Sequence, residues 1–183
     1  MRDSTRLNLP MPSETTILFG IEVPSADPLF LAVVGFHVAV GLISVVSGAT
    51  AMLSGKRAGR HPTAGTIYYW ALVAVFASAT ALSFVRWAED YHLFFLGLLS
   101  FAAAFLGRLA RRKRWRGWLR LHIAGMGLSY IFLLTAFYVD NGKSLPLWRE
   151  LPVIAFWLLP TAVGLPLIAY AFFRHPLARR PSA

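Results

Sequence analysis

An all-α integral membrane bundle of five transmembrane helices, N-terminus outside and C-terminus cytoplasmic, is the fold class this 183-residue sequence predicts. Three observations predict it. Five apolar stretches occur at Leu29–Ser54, Thr66–Trp87, Tyr91–Ala110, His122–Val139 and Val153–Phe173. Each is long enough to cross a hydrocarbon core of ~30 Å at ~1.5 Å per residue. The charges then alternate across this map. The loops after spans one, three and five, with their helix ends, carry thirteen cations and no acid (Lys56, Arg57 and Arg60; Arg108 to Arg120; Arg174, Arg179 and Arg180). The other three segments hold all eight acids and five cations. Basic loops stay in the cytoplasm, which sets the orientation. Finally, small residues recur at helical spacing along four spans, as close helix packing in lipid requires.

Residues 1–28 contain four prolines and mixed polar side chains. They read as an extracytoplasmic arm with one weakly apolar patch, Ile17–Val23, too short to cross a bilayer. They lack the basic start and apolar core of a cleavable signal. Residues 29–174 read as one five-helix transmembrane domain without an internal repeat, and 175–183 as a basic cytoplasmic tail. A net charge of +10 fits this orientation better than nucleic-acid binding, because the cations cluster where the membrane rule puts them. The run Arg108–Arg120 is also suited to anionic lipid head groups, with Trp115 and Trp118 as interfacial anchors. Without cysteine the chain has no disulfide, thiol chemistry, iron–sulfur cluster or covalently attached haem.

Span one is the most patterned. His37, Gly41, Ser44, Gly48, Ala51 and Gly55 follow at spacings of four, three, four, three and four, on one helix face. His37 lies well inside the span, ~12 Å below the outer boundary. Two readings of it stay open. An intramembrane ionisable side chain facing a bundle interior is a functional candidate, as a metal or haem ligand or a proton relay. It can equally be a histidine bonded to a neighbouring hydroxyl, such as Ser78, Thr80 or Ser83 on span two, or Tyr130 or Thr135 on span four. A b-type haem needs an imidazole for its iron and room for a flat macrocycle, and Gly41, one turn from His37, leaves room. The outer partner would be His92, at the start of span three, about 8 Å nearer the surface in untilted helices. On the inner side His61 and His122 form a second pair at matching depth. His61 can instead cap span two, since Pro62 suits a first helical position. His175 takes no role.

Span two has Ala71, Ala74, Ser78 and Ala81 on one face, span three Gly97, Ser100, Ala104 and Gly107, and span four Gly125, Ser129 and Ala136 beside His122. These specify packing rather than chemistry. Asp140, Asn141 and Gly142 end span four as a turn signal. Pro152, Pro160, Gly164 and Pro166 interrupt span five. No acid lies inside a span, which counts against a cation-coupled transporter. Nucleotide loops, metalloprotease helices and hydrolase elbows are missing from the sequence.

Four segments together resemble a known family. His37-Val-Ala-Val-Gly41 through Gly48, His61-Pro-Thr-Ala-Gly65-Thr-Ile-Tyr68, Leu121-His122-Ile-Ala-Gly-Met126 and Ala136-Phe-Tyr-Val-Asp-Asn-Gly142 look like the bacterial multi-pass membrane proteins grouped as domain of unknown function 2306, over residues 30–172. That family repeats a histidine in the first span and another before the second, usually followed by Arg; here His61 is followed by Pro62. The resemblance implies a bacterial inner-membrane location and no established activity. The leading expectation is a haem b-binding electron-transfer or assembly subunit, with His37, Gly41 and His92 outside and His61 and His122 inside. The alternative is a non-catalytic scaffold or small-molecule carrier without haem. Either expects the bilayer as partner, with a further membrane protein or a second copy beside it.

Overall fold

The computed structural model describes residues 16–18, 21–23, 27–55 and 59–174. Most of the N-terminal arm, Lys56 and Arg57 of the first basic loop, and the tail with His175 lie outside the described residues. Five helices make up nearly all of the rest: α1 (Pro28–Leu53), α2 (Arg60–Val85), α3 (Trp87–Lys113), α4 (Trp118–Asn141) and α5 (Val153–Arg174). All five are long and apolar enough to cross a membrane. Among the described residues the exception to an all-α fold is a pair of strands, β1 (Thr16–Leu18) and β2 (Ile21–Val23), antiparallel with Ile17 opposite Glu22. The weakly apolar patch is therefore extended. Its β-branched Ile17, Ile21 and Val23 suit a ladder better than a helical turn.

Helix ends run past the apolar stretches. α2 starts at Arg60 rather than Thr66, and α3 covers Trp87–Lys113 rather than Tyr91–Ala110. Hydropathy marks the lipid-matched portion only, while backbone hydrogen bonding continues through interfacial polar residues. α1 opens on a side-chain cap: Asp27 Oδ1 accepts from Leu29 N at 2.7 Å, and Pro28 takes the first position. Arg86 alone separates α2 from α3. The α3–α4 corner uses two left-handed residues, Arg114 at φ 54° and Gly117 at φ 71°. α4 ends where Asp140-Asn141-Gly142 signalled, followed by a 3-10 turn over Gly142–Ser144.

Sequence neighbours pack as spatial neighbours through these short connections, and α1 also reaches α4. Glycine fixes two of the junctions. A Cβ on Gly125 would stand 2.6 Å from the Ala103 carbonyl oxygen and 2.8 Å from Gly107 Cα, so α3 and α4 meet backbone to backbone. Between α4 and α5 the lock is reciprocal: Ile168 fills the space over Gly127, and Ile131 the space over Gly164. Aromatic rings join α2 to α3, with Phe76 stacked on Phe101 at 5.2 Å. Phe94 sits within ring contact of both Phe84 and Trp87. Pro160 and Pro166 lie inside α5.

Candidate functional site

His37 stands at the α1–α2 junction, half-buried, with Nδ1 2.9 Å from Ser78 Oγ. The serine hydroxyl spends its hydrogen on the Ala74 carbonyl, 2.8 Å away. Its oxygen is then an acceptor, so His37 Nδ1 carries the hydrogen and the lone pair is on Nε2. A hydroxyl partner on span two was among the sequence expectations, and Ser78 supplies it. One turn along, Gly41 has open space: a Cβ there would meet nothing within 4 Å.

The same face closes further down. Ser44, Ser47, Gly48 and Ala51 are buried. A Cβ on Gly48 would lie 2.6 Å from the Tyr130 ring and 3.0 Å from the Tyr68 ring. Gly55 falls beyond the end of α1 and is exposed, so the expected six-residue face stops at Ala51.

The remaining histidines are dispersed. His61 does not cap α2, whose N-cap is Gly59; it lies inside the first turn, and its Nδ1 is 2.8 Å from the Ala51 carbonyl oxygen. Ala51 is among the last four residues of α1, where carbonyls lack intrahelical donors. His61 thus caps the preceding helix. His122 lies one turn inside α4, which begins at Trp118, and its Nδ1 is 3.1 Å from the Gly107 carbonyl oxygen. A carbonyl only accepts, so both rings carry hydrogen on Nδ1. His92 packs its ring 6.0 Å from Trp157 of α5. The structure therefore gives the outer pair partners on different helices, Ser78 of α2 and Trp157 of α5. The inner pair bonds across different junctions, α1–α2 and α3–α4. Among the described residues, no three His, Asp or Glu side chains converge as a metal site would need.

Sequence reading missed a polar layer in the bundle centre. Tyr68, 2% exposed, donates its hydroxyl hydrogen to Ser129 Oγ at 2.7 Å, because Ser129 donates its own to the Met126 carbonyl. Ser100 Oγ donates to the Ser129 carbonyl at 2.7 Å, and Tyr130 to the Val45 carbonyl at 3.0 Å. The layer ties α1, α2, α3 and α4 together. Tyr68 and Tyr130, tyrosines within spans beside small-residue faces, were the available signal. Ser44 is the exception: fully buried, with no hydrogen-bond partner for Oγ.

No family model, no curated protein and no solved structure matches the chain.

Proposed function

We propose that the chain is a bacterial inner-membrane protein, N-terminus outside and C-terminus in the cytoplasm, that holds a b-type haem on His37 as an electron-transfer or assembly subunit. The charge asymmetry of the two bundle ends supports the orientation. The likeness to domain of unknown function 2306 belongs to the same reading, as does contact of the basic corner Arg108–Arg120 with anionic lipids.

One observation carries the haem assignment. Ser78 fixes His37 in the tautomer that puts the lone pair on Nε2, and Gly41, one turn away, leaves space beside the helix. A bound haem would supply one-electron exchange. The chain's own part is local. Ser78 orients the imidazole, and Gly41 leaves room for a flat group. The fit covers one axial ligand. His92 packs against Trp157 and is left off the iron, while His61 pins the end of α1 and His122 the α3–α4 junction.

The test is a reduced-minus-oxidised visible spectrum of the detergent-purified protein, made in cells supplied with haem. Soret, α and β bands are expected, lost in His37→Ala and kept in His92→Ala. A colourless protein refutes the assignment. A second reading, a non-catalytic scaffold or small-molecule carrier, is favoured by the tyrosine–serine layer that fills the bundle centre. It expects a colourless protein whose His37→Ala variant keeps full function in cells.

A further inference from the structure

We infer that the basic end of α3 carries a seat for the phosphate of an anionic lipid, formed by Arg108, Arg111 and Arg112. The inference deepens the lipid contact proposed above and is independent of haem; it rests on the helices crossing a bilayer.

Residues at i, i+3 and i+4 share a helix face, so the three guanidinium groups lie along one side of the last turns of α3. Their roles differ. Arg108 is half-buried and its guanidinium carbon lies 4.5 Å over the Tyr69 ring of α2, which holds it in place. Arg111 and Arg112 are exposed beside it. The sequence contains no Asp or Glu between Asp90 and Asp140, so neither α3 beyond its first turn nor α4 before its last offers these cations a carboxylate. The ion pair of Arg149 with Glu150 sits at the opposite end of the bundle.

The corner that follows is built to stay at one level. Arg114 takes a left-handed conformation that side-chain-bearing residues adopt uncommonly. Its guanidinium lies 4.7 Å over the Trp118 ring. Trp115 is exposed next to it, and exposed tryptophan at a span end marks the headgroup level. A guanidinium offers paired donors that match a phosphate's oxygens, and a site already rigid on one side loses less freedom on binding. Depth selects the source: a seat at the end of an apolar helix is where a lipid phosphate is held in high local concentration.

The experiment uses the full chain in phosphatidylcholine micelles titrated with phosphatidylglycerol, following the thermal unfolding midpoint. Phosphatidylglycerol should raise the midpoint, and equal amounts of added phosphatidylcholine or inorganic phosphate should not. At about fivefold per cation, Arg111→Gln with Arg112→Gln should weaken the apparent affinity roughly thirtyfold. Arg149→Gln, at the other end, should leave it unchanged. Replacing Arg111 and Arg112 by Lys keeps the charge that orients the helices and should still weaken binding, because the paired donors are gone. An equal shift from phosphatidylcholine, an equal shift from inorganic phosphate, or full retention in the Gln double variant would each overturn the seat.

Discussion

The two halves of one helix face behave differently. From Ser44 to Ala51, α1 is closed: its backbone carbonyl at Val45 accepts from Tyr130, and two tyrosine rings press on Gly48. From His37 to Gly41 the face is half-open, with a hydrogen bond to Ser78 and empty space at Gly41. The spacing of small residues is the same in both halves. The difference comes from what arrives across the junction. A small residue permits close approach. Whether the room becomes packing or open space depends on the partner side chain, and at Gly48 Tyr130 and Tyr68 decide for packing.

The closed kind of contact is most extreme at Gly125, where the nearest neighbours of a Cβ are backbone atoms of α3. Backbone cannot swing aside, so Gly125→Ala must separate α3 from α4. It should cost about 3 kcal/mol or more, at the upper end for overpacking. Unfolding in mixed micelles measures it, and a loss below that of Gly48→Ala would contradict the backbone-to-backbone contact.

At Gly48 the obstacle is a pair of rings that can shift slightly, so Gly48→Ala should cost less, about 2 kcal/mol. Gly41→Ala is its matched counterpart on the same face. With nothing to strike, it should be neutral or gain up to ~1 kcal/mol from helix propensity. Equal losses at both positions would erase the distinction between the halves. Gly41→Leu sharpens it further. The folded protein should persist, while any haem spectrum should be lost.

Much of this arrangement was legible beforehand, and for identifiable reasons. Five apolar runs of bilayer length announced five helices, and period-3.6 spacing marked Ser44, Gly48, Ser78, Ser100, Ala104, Gly107, Gly125 and Ser129 as interior, where the structure buries them. A face, however, does not name its neighbour. The pattern that placed His37 inward left five hydroxyls as possible partners, and it could not show that His92 turns toward α5. The expectation that His61 caps span two fails for a related reason. Hydropathy began span two at Thr66, which left His61 outside the helix, whereas Gly59 starts the helix and puts His61 beside the carbonyls ending α1. Reciprocal locks such as Gly127 with Ile168 and Ile131 with Gly164 need both helices in register before either glycine acquires meaning.

Ser44 lies where the closed half begins, and it gives the smallest effect with the most informative sign. Several hydroxyls on these helices bond back to the carbonyl one turn earlier: Ser47 to Ile43, Thr80 to Phe76, Thr135 to Ile131. Ser44 makes no such bond, although it is fully buried. An unpaired buried hydroxyl costs ~1–3 kcal/mol relative to a paired one. Ser44→Ala removes that cost with the loss of a single oxygen, so it should raise stability by about 1 kcal/mol. Ser129→Ala, which deletes the acceptor for Tyr68, should lower it by a similar amount. Both are read from the same unfolding curves. If Ser44→Ala instead destabilises, the hydroxyl has a partner in the membrane-embedded protein. The closed half of α1 would then be a binding surface and not simply packing.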